Sequence, residues 1–216
     1  MIDPHLINPS STDTALIVVD VQNDFCPAGA LAVANGDRVV APINALSSLF
    51  SNIILTQDWH PAEHVSFADN QPGKSPFETI TLSYGSQTLR QTLWPVHCVQ
   101  GSHGAEFHAD LDRSRAQLVV RKGFRSQIDS YSAFYENDQS TATGLHGYLK
   151  DRGISKLVLT GLATDFCVAW SALDAARLGL DATVVLSACA AIDLEGSFQA
   201  QLKAMQQAGV RVVDAL

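Results

Sequence analysis

Residues 14–19, TALIVV, form an unbroken apolar run that ends at Asp20. A strand with one face in water alternates apolar and polar side chains, so a continuous run of aliphatic, β-branched residues reads as a strand buried on both faces. The pattern returns in NIILTQ at 52–57, ahead of Asp58, and in AQLVVRK at 116–122, which ends on Lys122. It returns again at 156–160 before Gly161, at 181–187 and at 210–215. Helical stretches lie between these runs. Val39, Ile43, Leu46 and Phe50 recur at helical spacing after Asn35, a helix is expected near 141–152, and Phe198, Leu202 and Met205 share one face of another. Strands alternating with helices predict βαβ units with right-handed crossovers: an α/β fold, three-layer α/β/α, with a six-stranded, mostly parallel sheet and Rossmann-like winding. No linker-like stretch divides the 216 residues, so a single domain over 1–216 is expected. The segment at about 58–115 lacks sustained periodicity, carries four prolines and holds five of the seven histidines, and it reads as a functional insertion.

The formal charge of −8 and the lack of a basic patch exclude a nucleic acid or an anionic membrane as the natural partner. A small molecule is expected instead, with a homo-oligomer left open. No apolar run approaches the ~20 residues of a membrane span. The N-terminal MIDPHLINPSSTDT lacks the basic and apolar regions of a signal peptide, so a cytoplasmic location is expected. Cys26, Cys98, Cys167 and Cys189 form no CxxC pair and are expected as free thiols.

Chemistry concentrates at the carboxyl ends of the apolar runs, where ligands collect in open α/β sheets. Asp20, Asp58 and Lys122 arrive there together. The stretch KLVLTGLATDFCVAWSALDAARL at 156–178 reads as strand, glycine turn and helix, with Thr164 as N-cap and Asp165 in the first turn. That places Cys167 at a helix N-terminus, where unpaired N–H groups and a nearby cation are expected to lower a thiol pKa from about 8.5 and to receive an oxyanion. In QDWHPAEHVSF, Asp58 and His60 stand two apart and project to one side of an extended segment. With His97 from LWPVHC they make one carboxylate and two imidazoles, a set that leaves positions open for water or substrate on a divalent ion. His64 is a candidate fourth ligand, with Glu63 and Cys98 in reserve.

Together, Asp20 in VVDVQNDFC, DWHP, WPVHC, Lys122 in KGFRSQIDSYSAF and Cys167 in GLATDFCV resemble the nicotinamidase/pyrazinamidase branch of the isochorismatase-like cysteine hydrolases over roughly residues 14–214. The resemblance implies Asp20, Lys122 and Cys167 as a catalytic triad and Asp58, His60 and His97 as ligands of one divalent metal, zinc first, with iron or manganese as alternatives. It implies a cis peptide between Leu162 and Ala163, an oxyanion site at the N–H groups of Ala163 and Cys167, and a substrate pocket at Gln22, Phe25, Trp94 and Tyr131. The activity implied is hydrolysis of nicotinamide or pyrazinamide through a cysteine thioester, in NAD salvage. Two rivals stand beside it: a metal-free relative acting on another amide or a vinyl ether, and a non-catalytic thiol sensor. The chain departs from many relatives at Ser187 and Ala190 in SACAAID.

Overall fold

Each of the six apolar runs becomes a strand of one sheet. In the computed structural model, which describes residues 7–84 and 87–216, these are β1 Thr14–Val19, β2 Asn52–Asp58, β5 Leu118–Lys122, β6 Lys156–Leu162, β7 Asp181–Ala190 and β8 Arg211–Val213. Residues 1–6 of the N-terminal stretch read above as free of a leader lie outside the described residues. The order across the sheet is β5-β2-β1-β6-β7-β8, and every adjacent pair is parallel. All six residues of β1 and all seven of β2 are buried, which is what their lack of alternation required.

The chain winds outward from β1 through β2 to β5, then returns to β6 beside β1 and winds the other way. Right-handed crossovers on either side of this reversal put α1 (Val40–Ser47) and α3 (Ala169–Arg177) on opposite faces of the sheet. The helix expected near 141–152 is the shorter α2, Leu145–Asp151, entered through a left-handed Gly144. α4 (Ser197–Gln207) packs on α3 and β8, with Met205 its buried residue. No helix is long and apolar enough to cross a membrane among the described residues.

The segment after β2 is not structureless. It carries an antiparallel hairpin, β3 Thr79–Tyr84 with β4 Gln87–Thr92, apart from the main sheet. β3 alternates strictly between exposed and half-buried residues, a weak period-2 signal of a mostly solvated ribbon, hidden by the surrounding prolines.

Candidate active site

The reversal between β1 and β6 opens a crevice at the carboxyl ends of the strands, and the predicted residues gather there. Asp20 follows β1, Asp58 ends β2 and Lys122 ends β5, where Asp58 and Lys122 are direct partners in register. Lys122 is 1% exposed and Asp20 fully buried. The Lys122 Nζ lies 2.8 Å from Asp20 Oδ2 and 3.3 Å from Cys167 Sγ, donates to Ser130 O at 3.0 Å and makes a short contact with Asp58 Oδ1. One acceptor atom each from Asp20, Asp58 and Cys167 lie within 4.8 Å of one another. Thr56, which the sequence reading missed, donates its hydroxyl to Asp20 Oδ1 at 2.6 Å. The other oxygen, Oδ2, faces Lys122 without a well-directed hydrogen bond and is open to a proton.

Cys167 arrives by a different route from the one expected. β6 does not stop at Gly161 but bulges through it to Leu162, and the turn is made by a cis peptide between Leu162 and Ala163. Gly161 has φ +108°, and a Cβ there would meet the Val19 carbonyl oxygen at 2.1 Å, so only glycine lets β6 lie this close to β1. Thr164 is not the N-cap. Ala163 occupies that position, and residues Thr164–Val168 form a single wide π-turn that leads into α3 and carries the thiol. Asp165 is in the first turn, as expected, but its carboxylate is committed to the loop after β7: it accepts from the N–H groups of Ile192 and Asp193 at 3.0 and 2.8 Å and from Ser197 Oγ.

The expected fall in the Cys167 pKa is overturned. Burial pushes the thiol well above its usual value; Lys122 pulls it down, but Asp20 and Asp58 push it up again. Burial also dominates Asp20, which stands at about 6 despite the pull of Lys122. At Lys122 burial opposes the charge, yet Asp20 and then Asp58 outweigh it and keep the ammonium protonated. The resting arrangement is therefore a neutral thiol beside an ammonium and a carboxylate of raised basicity, suited to attack with concerted proton transfer.

On the opposite wall, Asp58, His60 and His97 bring one donor atom each within 4.8 Å of one another. His60 Nδ1 pairs with Gly123 O at 2.8 Å and His97 Nδ1 with Pro95 O at 2.8 Å, which fixes both rings, with His60 Nε2 turned toward Asp58 Oδ2 at 3.5 Å. Gly123, at φ +63°, must be glycine because a Cβ would stand 2.4 Å from His60 Cε1. Burial and then His60 hold His97 down to about 4, so its Nε2 carries a lone pair at neutral pH. At His60 burial acts in the same sense but Asp58 outweighs it, so a proton competes there with any cation. Two anchored imidazoles and a carboxylate oxygen fit a divalent ion with open positions. His64 belongs to a neighbouring group with His60 and Asp129, and both of its nitrogens are engaged, Nδ1 with Ser66 Oγ at 2.7 Å and Nε2 with Ile128 O at 3.2 Å. It does not share the group of Asp58, His60 and His97. Trp59, between the two candidate ligands of the DWHP stretch, lies under the Arg121 guanidinium at 3.9 Å.

Phe25, Trp94 and Tyr131 line the pocket between these walls, with Ala163 and Cys167 at one end. Gln22 does not. It is fully buried behind the site, where its amide donates to Asp58 O at 2.8 Å and Ala105 O at 2.9 Å and accepts from Asp58 N at 2.8 Å, so it clamps the end of β2. The sequence reading missed four wall residues, Leu31, Asp129, Phe166 and Ile192. Phe166 could have been found, since it is the neighbour of Cys167 and packs edge-on against Trp94 at 4.9 Å and Tyr131 at 5.6 Å.

A fold and crevice of this kind define an α/β enzyme with a buried thiol at the carboxyl edge of its sheet, and comparison with known proteins narrows it. The isochorismatase domain profile matches residues 14–215, and the chain belongs to that family. Within the family it groups with the nicotinamidases. It is 53% identical over 205 residues to the nicotinamidase of Acinetobacter baylyi, covering 95% of this chain and 94% of the relative. The structure of a nicotinamidase and pyrazinamidase from Acinetobacter baumanii superposes with a TM-score of 0.91 at 56% identity, over 94% of this chain and 96% of that one. A Pyrococcus horikoshii pyrazinamidase in complex with zinc matches at 0.73 and 32% identity, over 93% and 98%.

Proposed function

We propose that this protein hydrolyses nicotinamide, and by the same route pyrazinamide, to the carboxylate and ammonia. One observation carries the reading: Lys122 touches both Asp20 and Cys167 behind a small aromatic pocket that Cys167 lines, and Asp58, His60 and His97 converge beside them in the same pocket. As Cys167 Sγ attacks the carboxamide carbon, Asp20 Oδ2 takes the thiol proton and the Lys122 ammonium stabilises the charge on sulfur. The carbonyl oxygen, now an oxyanion, is received by the N–H groups of Ala163 and Cys167, an interaction worth about 3 kcal/mol for each such donor. Asp20 returns its proton to the amide nitrogen, the C–N bond breaks, and ammonia leaves a thioester on Cys167. Asp20 then takes a proton from water as its oxygen attacks the thioester; collapse frees the sulfur, which recovers that proton, and releases the acid.

A divalent cation held by Asp58, His60 and His97, zinc in the first instance, would supply a Lewis acid for the pyridine nitrogen. Phe25, Trp94 and Tyr131 sandwich the flat ring so that its 3-carboxamide meets the sulfur. The whole chain serves this site as one domain, with the segment at about 58–115 as the insertion that supplies His60, His97 and Trp94.

The test is ammonia release from nicotinamide by the purified protein, with and without chelator, beside Cys167→Ala. Turnover in the wild type, its loss on chelation and its abolition in Cys167→Ala are expected. Undiminished turnover by Cys167→Ala would overturn the covalent route. Full activity after verified metal removal would overturn the orienting role of the ion.

A further inference from the structure

The hairpin of β3 and β4 has no evident structural duty. Its outer face is exposed, and a two-stranded ribbon alone is marginal in water. One residue makes it more than an appendage. Gln91 of β4 is 2% exposed, and its side chain reaches the pocket wall. Its Nε2 lies 2.8 Å from Thr92 O, 2.8 Å from Asp129 Oδ2 and 3.0 Å from the Tyr131 hydroxyl, and its Oε1 accepts from Asn137 Nδ2 at 3.1 Å. Asn137 in turn accepts the Tyr131 backbone N–H at 3.0 Å. Trp94 Nε1 donates to the same Tyr131 hydroxyl at 3.1 Å.

The arithmetic of donors decides what this network does. A phenolic oxygen has two lone pairs and one proton. Trp94 Nε1 donates to one of the lone pairs, the two Gln91 amide protons are shared among Thr92 O, Asp129 Oδ2 and the hydroxyl, neither nitrogen can accept, and no acceptor for the phenolic proton occurs among the described residues. A buried donor of this kind is costly unless a ligand satisfies it. Asp129 and Tyr131 both line the pocket.

We propose that the inserted hairpin belongs to the active site: Gln91 is a positioning residue that fixes the Tyr131 hydroxyl with its proton reserved for an acceptor atom of the heteroaromatic amide substrate. The proposal rests on the nicotinamidase reading above. It makes Tyr131 a polar contact as well as an aromatic wall, and it ties substrate fit to a strand outside the main sheet.

The test uses steady-state kinetics on nicotinamide with the metal-loaded protein and the variants Gln91→Leu, Tyr131→Phe and the double variant. Each single change should raise KM by about tenfold, the value of one lost hydrogen bond, with kcat within about threefold of wild type. The double variant should be no worse than the poorer single one, because both remove the same contact. Unchanged KM in Tyr131→Phe, a loss confined to kcat, or full multiplication of the two single effects would each overturn the proposal. If Gln91→Leu does not fold, Tyr131→Phe, which removes one oxygen only, decides on the same criterion of KM. An inactive wild type would instead refute the activity itself, so the two failures are separable.

Discussion

Lys122 is the residue whose removal tests the electrostatic logic of the site most directly. Its ammonium is the cation in contact with two buried carboxylates, Asp20 and Asp58. In Lys122→Met the stem is kept and the charge lost. Two carboxylate oxygens no more than 4.8 Å apart then repel by about 3.5 kcal/mol at an effective dielectric of about 20. That agrees with the ~3–5 kcal/mol typical of breaking a buried ion pair. The variant can relieve the strain by protonating Asp20. Burial already raises that carboxyl from 3.8 to about 6 with Lys122 present, and losing the ammonium raises it further. A folded pKa above the unfolded one means that the folded state binds the extra proton at low pH and that stability is lost as pH rises through the folded value. The deficit relative to wild type should therefore be about 3–5 kcal/mol near pH 7.5 and clearly smaller near pH 5, where Asp20 is neutral in both proteins. Reversible guanidinium unfolding at the two pH values measures it, and kcat should fall at least about a hundredfold because thiolate formation loses its counter-charge. A deficit independent of pH, or none, would refute the claim that Lys122 compensates these carboxylates.

Two other outcomes follow from the same geometry. Because Asp20 must be a carboxylate to accept the thiol proton and stands at about 6, kcat/KM should decline as pH falls through that value; a flat profile from about pH 5 to about pH 8 would remove Asp20 as the base. Gly161→Ala should cost about 2–5 kcal/mol, combining a left-handed backbone at φ +108° with a Cβ 2.1 Å from Val19 O, and should lower Tm by several degrees; a Tm within about 2 °C of wild type would show that β1 and β6 can part without penalty.

β1 and β2 were legible because burial on both faces leaves an unmistakable mark, and β1 matches TALIVV residue for residue; the edge strands β5 and β8 are only partly covered and showed through their apolar runs alone. Asp20, Asp58 and Lys122 were legible for a related reason, since a polar residue that closes an apolar run has to leave the sheet at its edge. What sequence could not disclose depends on groups far apart in the chain. Thr56 hides as an ordinary strand residue, and only the pairing of β1 with β2 brings its hydroxyl to Asp20. Gln22 stands beside pocket residues in sequence yet faces backwards, because both ends of its amide are taken by the β2 terminus and Ala105. Thr164 has the chemistry of an N-cap, but the wide π-turn moves the helix start and gives that place to Ala163. The hairpin was missed because its alternation is weak and lies among prolines.

The thiol pKa is the correction with most bearing on mechanism. A lysine argues for a standing thiolate, and Lys122 is present, yet burial outweighs it, with Asp20 and Asp58 acting in the same sense as burial. The same burial acts on Asp20 and makes it a better base than a solvated carboxylate, while Lys122 remains charged between them. Desolvation thus moves the proton's resting place to sulfur and strengthens the group that must remove it. In the proposed reaction the cost of ionising the thiol falls in the transition state, where the charge passes to the substrate's oxyanion and the Lys122 ammonium stabilises it, so the nucleophile would be activated only when an amide occupies the pocket. A cysteine arranged in this way is protected from adventitious reaction by the same low-dielectric surroundings that strengthen its contact with Lys122.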